Sequence, residues 1–183
     1  LMLEPLPAGT GFEFVNKVDD SVLPRQFLSA VEQGVRESLD SGPIAGYTVV
    51  DFRATLVDAT YDEEESSEMA FKVAASMALR SGLERAKPVL LEPIMKVESV
   101  GPDEFSGALI GDLSARSGQI EGLQARGTGM QAVRAMVPLA QMFGYATDLR
   151  SITQGRGTFT MEFDHYDVVP ADVLEQITMG GRR

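Results

Sequence analysis

Two short clusters contain the residue types that could do chemistry in this sequence. The first is the acidic run Asp62-Glu63-Glu64-Glu65, whose carboxylates could bind a metal ion or act as a general base. Either role needs oxygens that converge on one point, and consecutive residues of a loop converge poorly. We therefore predict a solvated acidic loop that leads into a helix, with the metal or general-base site as the alternative.

The second cluster is Gln154-Gly155-Arg156-Gly157, whose backbone amides could surround an anion. It lacks the spacing G-x-x-x-x-G-K-[ST] of a nucleotide-binding loop, so a turn that joins a helix to a strand is the favoured interpretation. The triplets Gly9-Thr10-Gly11 and Gly127-Thr128-Gly129 predict two hairpin turns.

Arginine dominates the basic residues of the second half of the chain, at Arg116, Arg126, Arg134, Arg150 and Arg156. Guanidinium groups favour two-point contacts with phosphate, and scattered surface ion pairs are the alternative that the sequence leaves open. The single histidine, His165, has no partners for a catalytic triad or a multi-histidine metal site. A structural role is therefore predicted for it.

The composition limits the classes of function. The 183 residues are 44% hydrophobic and 23% charged, enough for one or two globular domains. A net charge of −11 argues against non-specific duplex binding but permits a local RNA contact through arginines. The absence of cysteine excludes disulfides and thiol catalysis, and it fits a reducing compartment. We expect no signal peptide and no membrane span, because no apolar run approaches about 18 residues.

The elements that must position these residues fall into two groups. In the first, strands are predicted at 1–6, 12–18 and 47–57, and helices after Pro24 and after a cap at Ser66 or Ser67. The predicted buried positions of the two helices are Phe27, Leu28, Val31, Val35 and Leu39, and then Met69, Ala70, Val73, Met77 and Ala78. The order β-β-α-β-α describes a β-α-β type domain over residues 1–89.

The second group has the order β-α-β-β-α-β, which predicts a ferredoxin-like sandwich over residues 90–170. A helix is predicted from Pro138, and the strand at 158–166 alternates apolar and polar side chains. The predicted buried positions are Leu139, Met142, Phe143, Ala146 and Leu149 on the helix and Phe159, Met161 and Phe163 on the strand. The methionines Met69, Met77, Met130, Met136, Met142 and Met161 are predicted to fill the core. Residues 171–183 are predicted to be a flexible tail, so the fold class is α+β with two small domains.

Several segments resemble the fourth and fifth domains of translation elongation factor G. They are G-F-E-F-V-N at 11–16, A-G-Y-x-V-V-D-F at 45–52, S-S-E-M-A-F-K-V-A at 66–74, K-P-V-L-L-E-P-I-M-K-V-E at 87–98, G-Q-I-E-G-L-Q-A-R-G at 118–127 and P-L-A-x-M-F-G-Y-A-T-x-L-R-S-x-T-Q-G-R-G-x-F-T-M at 138–161. The resemblance implies a ribosomal-protein-like first domain and a ferredoxin-like second domain.

The resemblance also implies a function. Elongation factor G is a cytoplasmic, monomeric GTPase that moves tRNA and mRNA through the ribosome. Its partners are the ribosomal RNA of both subunits and the tRNA–mRNA pair at the decoding site. GTP and Mg would bind in the GTP-binding domain of a full-length parent, so this chain is expected to bind no cofactor or metal, to have no catalytic residues and to contact no membrane.

The resemblance places ribosome-contacting residues in both domains. In the first they are Asp19, Asp20, Ser21, Tyr61, Asp62 and Glu63, and in the second they are Arg116, Arg150, Gln154 and Arg156. The family usually has histidine at position 62 and paired glycines at positions 20 and 21, and both changes add charge or bulk where RNA phosphate should approach. These departures suggest a paralogue with slower translocation or a recycling or ribosome-protection role. A stand-alone ferredoxin-like module that binds a small molecule is a further alternative.

Overall fold

The computed structural model describes residues 1–62, 64 and 66–180. They form two compact units, one of Leu1–Leu90 with the chain from Pro170 onward, and one of Leu91–Val169. Each unit contains a β-sheet with packed helices, so the predicted α+β class with two small domains is confirmed.

The first unit contains a three-stranded sheet of β1 (Met2–Pro5), β2 (Phe12–Asn16) and β3 (Phe52–Leu56), with β3 in the centre. Strand β3 is antiparallel to β1 and parallel to β2. The predicted hairpin at residues 9–11 is therefore wrong, because β3 lies between the two strands that this turn joins. The Gly11 amide instead donates to Asp51 Oδ1, 2.9 Å away, just before β3.

Helices α1 (Arg25–Ser38) and α2 (Glu68–Arg85) pack against each other in this unit. The predicted buried stripe of α1 is largely confirmed, with Phe27, Val31 and Val35 at most 5% exposed. The cap of α2 is Ser67, whose hydroxyl accepts the Ala70 amide hydrogen at 3.1 Å.

The predicted buried face of α2 is wrong. The buried side chains are Ala75, Leu79 and Leu83, whereas Met69 and Met77 are both 67% exposed and Val73 is 49% exposed. Apolar residues occur nearly all round this helix, so its periodicity allows more than one stripe. Packing against α1 and the sheet selects the stripe that contains Leu79.

The second unit contains β4 (Leu91–Pro102), α3 (Ser106–Ala115), β5 (Gln119–Ala125), β6 (Met130–Pro138), α4 (Tyr145–Ile152) and β7 (Thr158–Val168). The strand order is β5-β6-β4-β7, and every neighbouring pair is antiparallel. This arrangement confirms the predicted ferredoxin-like sandwich and the β5–β6 hairpin. Its core lies between the helices and one face of the central strands, at Val97, Leu109, Leu113, Val133, Val137, Tyr145 and Leu149.

The segment after Pro138 differs from the predicted continuous helix. Leu139–Met142 forms a short 3-10 turn, and α4 begins only after Gly144, whose φ of 78° is left-handed. This break turns Phe143 outward, where 81% of the residue is exposed. The prediction that Phe143 is buried is therefore wrong, as it is for Ala146, which is also exposed.

Strand β7 lies at the edge of its sheet, and this position explains why two of its predicted core residues are exposed. Of the side chains predicted to be buried, only Phe159 packs against the core, while Met161 and Phe163 are 37% and 55% exposed. The prediction of core methionines is thus wrong for Met69, Met77 and Met161, although Met142 is buried.

The predicted flexible tail is wrong for Ala171–Gly180, which forms helix α5, and residues 181–183 lie outside the described part of the chain. The sequence contained a signal for this helix, since Asp172 lies in its first turn and Val173, Leu174 and Ile177 have helical spacing. Among the described residues, no helix has the length and apolar character needed to cross a membrane.

Candidate functional site

The two loops predicted as the contact region of the first unit lie at the same end of that unit. One loop joins β2 to α1 and the other joins β3 to α2, and because β2 and β3 are parallel the loops leave the same edge of the sheet. Phe27, near the start of α1, connects them. Its ring centroid lies 5.3 Å from that of Tyr61 and 4.9 Å from that of Phe71. The structure therefore brings the described residues of both predicted loops into one region.

The first loop is an ordered turn. Asp19 Oδ1 accepts the Ser21 amide hydrogen at 2.8 Å, and hydrogen bonds from Ser21 lower the pKa of Asp19 below its ordinary value. Asp20 forms an exposed ion pair with Arg25 at 2.7 Å. One of the two carboxylates in this loop therefore already has a cationic neighbour.

The second loop is organised around Asp62. Its amide lies 3.0 Å from Ser66 Oγ, its Oδ1 accepts the Glu64 amide hydrogen at 2.9 Å, and its carbonyl accepts the Ser66 amide hydrogen at 3.0 Å. Glu63, predicted to contact the ribosome, lies outside the described residues. Across the residues that are described, no three or more histidine, aspartate or glutamate side chains are grouped so that they could hold a metal ion.

Arg116, predicted to contact RNA, is used inside the second unit. Its guanidinium pairs with Asp112 at 2.9 Å and with Asp148, and it lies 5.2 Å from the centroid of the Tyr145 ring. It also donates to the carbonyl oxygens of Gln141 and Phe143. With its side chain 14% exposed, Arg116 connects α3 to the start of α4.

The remaining predicted residues of the second unit lie at the exposed end of α4. Arg150 is exposed and has no ion-pair partner among the described residues, and Gln154 is exposed in the turn that follows. Arg156 pairs with Glu104 at 2.6 Å and lies 5.0 Å from the centroid of the Phe105 ring. Arg150 and Gln154 are therefore available for an external contact, whereas Arg156 already has internal partners.

Three amides of the turn at residues 154–157 donate hydrogen bonds within the chain. Gly155 donates to the Arg150 carbonyl at 2.8 Å, Arg156 to the Thr153 carbonyl at 3.1 Å, and Gly157 to Thr153 Oγ1 at 2.8 Å. The predicted turn is confirmed, and three of its four amides are used inside the chain, which disfavours the anion-binding alternative.

Phe143 is the most exposed of the aromatic residues that were predicted to lie in the core. Arg116 donates to the carbonyls of Gln141 and Phe143, which fixes the backbone just before Phe143 and at Phe143 itself. Gly144 directly after it was the available signal, because a glycine inside an apolar helical pattern often marks a break.

Comparison with known proteins gives a consistent assignment for both units. The family model described as elongation factor G, domain IV, matches residues 1–87, and the one described as elongation factor G C-terminus matches residues 89–177. The crystal structure of ttk003000868 from Thermus thermophilus is similar at 36% identity with a TM-score of 0.84. The match covers 97% of this chain and 26% of that one.

The paired folds and their matches define two domains of a translation factor. The chain belongs to the elongation factor G family, of which it contains domain IV and the C-terminal domain. It spans 26% of the length of the Thermus thermophilus chain that it matches.

Proposed function

We propose that this chain is the ribosome-contacting arm of a cytoplasmic translational GTPase that promotes GTP-dependent translocation of tRNA and mRNA during elongation. The observation that carries this proposal is the convergence of the loops around Asp19–Ser21 and Tyr61–Asp62 at one end of the first unit. A paired-loop end on a rigid sheet-and-helix body suits insertion into a confined site such as the decoding centre. The arm acts as a monomer within the longer protein.

The nucleotide chemistry belongs to another part of that longer protein. This sequence has no G-x-x-x-x-G-K-[ST] segment, and the amides of Gly155, Arg156 and Gly157 donate within the chain. We propose that GTP and Mg bind elsewhere in the longer protein, and that the two units transmit the resulting movement to the tRNA–mRNA pair.

The charge of the chain restricts how it meets RNA. Because the net charge is −11, most of the surface repels phosphate. Contact with RNA is therefore limited to small patches that carry few acidic side chains. Arg150 and Gln154 provide such a patch in the second unit. In the first unit the carboxylate of Asp62 opposes phosphate approach, and we expect it to slow the tRNA–mRNA step.

A translocation assay of the full-length protein tests this function. Asp62→Asn removes the charge but keeps an oxygen that can accept the Glu64 amide hydrogen, and Asp62→His supplies the residue usual in the family. Both should accelerate mRNA movement on pre-translocation ribosomes, as followed by toeprinting. Asp40→Asn is the matched control, because Asp40 is exposed and follows the opposite end of α1.

Equal rates for all three variants and the wild type would remove the argument based on Asp62. Failure of the wild-type protein to move mRNA would contradict the proposed function in translocation.

The departures at positions 20, 21 and 62 favour a second candidate, a ribosome-recycling or ribosome-protection paralogue. Acidic loops that meet phosphate poorly would suit a factor that separates ribosomal subunits without moving tRNA. A subunit-splitting assay with the same full-length protein distinguishes the two roles, because a recycling factor splits ribosomes while leaving the toeprint unchanged.

The structure offers little support for a small-molecule module of the ferredoxin-like type. A groove of about 680 Å³ lies between α1 and α2 of the first unit, and one of about 400 Å³ lies beside β5 of the second. Both are open and lined by mixed polar and apolar groups, unlike an enclosed ligand pocket.

A further inference from the structure

We propose that Phe143 is a stacking platform for an unpaired nucleobase of ribosomal RNA, and that Arg116 is the positioning residue that holds it. This inference rests on the proposed ribosome contact and names the group that makes it in the second unit. Phe143 is an aromatic residue with 81% exposure, and hydrogen bonds hold its backbone before and at its own position.

The fixation comes from one guanidinium. Arg116 donates to the Gln141 carbonyl at 2.5 Å and to the Phe143 carbonyl at 3.3 Å, so it holds the chain before and at the exposed ring. Its other contacts, to Asp112, Asp148 and the Tyr145 ring, attach it to both helices of the unit. A backbone held in this way has little conformational freedom left to lose on binding, which favours affinity.

The surroundings favour RNA over a protein partner. Between residues 139 and 157 the one acidic residue is Asp148, and Arg116 pairs with it. Arg150, on the same short segment, has no ion-pair partner among the described residues. In a chain with a net charge of −11, this segment therefore contains no unpaired carboxylate that would repel a phosphate backbone. Bases splayed from RNA loops stack on exposed aromatic rings.

The first test measures binding of the 183-residue chain to purified bacterial 70S ribosomes by cosedimentation. Phe143→Leu keeps an apolar side chain but removes the aromatic face, and should weaken binding roughly 5- to 100-fold. Phe143→Trp should bind at least as tightly as the wild type. Tyr47→Leu is the control, since Tyr47 is 57% exposed but lies in the first unit. Wild-type affinity for Phe143→Leu would overturn the platform.

The second test identifies the contacting molecule. A photoreactive p-benzoylphenylalanine in place of Phe143 should form an adduct with ribosomal RNA when the complex is irradiated. Adducts confined to ribosomal proteins would overturn the choice of RNA, and so would retained binding without any adduct.

The third test concerns Arg116. Arg116→Met should raise hydrogen exchange of the amides at residues 141–145 and weaken ribosome binding, whereas Arg116→Lys should restore part of both. If Arg116 acts through Phe143, the loss of binding in the double variant with Phe143→Leu should be no larger than in Phe143→Leu alone. Arg134→Met is the matched control, because Arg134 is also ion-paired in this unit, to Glu98 at 2.8 Å. Additive losses, or unchanged exchange, would overturn the positioning role.

The outcomes separate this inference from the proposed function. If the wild-type chain does not bind ribosomes, the proposed function and the stacking platform both fail, while hydrogen exchange still decides whether Arg116 orders the loop. If the wild type binds and Phe143→Leu binds equally well, only the stacking platform fails.

Discussion

Tyr145 and Ser99 share a hydrogen bond between their hydroxyl groups in the interior of the second unit, where neither residue is exposed to solvent. Tyr145 begins α4 and Ser99 lies in the middle of β4, so this bond joins the helix layer to the sheet. Burial raises the pKa of Tyr145, which keeps its phenol protonated and able to act as a donor.

Removing one member of this pair should destabilise the second unit. Tyr145→Phe leaves the Ser99 hydroxyl buried without its partner, at a cost of about 1–3 kcal/mol, and Ser99→Ala should have a similar effect. The double variant should lose less than the sum, because the second change removes a group that is already unsatisfied. Native-state hydrogen exchange of β4 and β6 amides reports this unit separately from the first. Strictly additive losses would show that the two hydroxyls are not coupled.

Two glutamates on β4 should respond to pH in opposite directions. Hydrogen bonds from Arg134 and then Arg126 hold the pKa of Glu98 below its ordinary value of 4.5. Its stabilising contribution is therefore fully present above about pH 4.5 and is lost as the pH falls through the folded-state pKa. Glu98→Gln should lower the free energy of unfolding at pH 7 by up to about 1 kcal/mol, with the difference shrinking below about pH 4.5, as measured by urea unfolding across this range.

Glu92 is the opposite case. Burial raises its pKa above 4.5, and the charge of Asp167, its partner across β4 and β7, adds to the effect. Its charged form therefore destabilises the fold at pH 7, and this penalty disappears as the pH falls below about 4.5. Glu92→Gln should stabilise the second unit at pH 7 and leave it unchanged at about pH 3.5, as measured by urea unfolding at both values. Stabilisation that persists at the lower pH would contradict an electrostatic cause.

Two helical glycines should give opposite results when changed to alanine. A Cβ on Gly34 of α1 would overlap the Lys72 carbonyl oxygen of α2, whereas a Cβ on Gly111 of α3 would meet open space. Gly34→Ala should therefore destabilise the first unit by roughly 1–3 kcal/mol, despite the better helix propensity of alanine. Gly111→Ala should stabilise the second unit by about 0.5–1 kcal/mol. Calorimetric unfolding of both variants checks the pair, and a stabilised Gly34→Ala would show that the helices can separate without cost.

The cap of α2 provides a local test. Ser67→Ala removes the acceptor of the Ala70 amide hydrogen and should cost about 1 kcal/mol, while Ser67→Asp should keep most of the stability. Thermal unfolding, followed by the helical signal of the first unit, measures the difference in stability between each variant and the wild type. Equal stability of Ser67→Ala and the wild type would mean that water replaces the cap at no cost.

Element order and most element types followed from the sequence, because hydrophobic periodicity and turn residues act locally. Which face of an element is buried did not always follow. Helix α2 has apolar residues on more than one side, and only its packing against α1 selects Leu79 over Met77. The hairpin predicted at Gly9–Gly11 failed for a similar reason, since the insertion of β3 between β1 and β2 depends on contacts distant in sequence.

The candidate site was predictable in part. Sequence placed Arg116 and Arg150 in one class, because both are arginines of the domain that resembles a ribosome-binding family. The structure separates them, since Arg116 pairs with two carboxylates and Arg150 has no ion-pair partner among the described residues. Only three-dimensional neighbours distinguish a guanidinium that maintains the fold from one that can contact a partner.

Strand β7 has a consequence for the behaviour of the protein at high concentration. It is an edge strand of eleven residues, from Thr158 to Val168, long enough to recruit a strand of another molecule. Pairing with β4 is interrupted by a bulge between Ile94 and Met95, and the side chains of Glu162, Asp164 and Asp167 add negative charge along the strand. If two copies met at this edge, the bulge would misalign their backbone hydrogen-bonding groups, and their carboxylates would repel each other. Both effects oppose sheet-to-sheet aggregation in a concentrated solution.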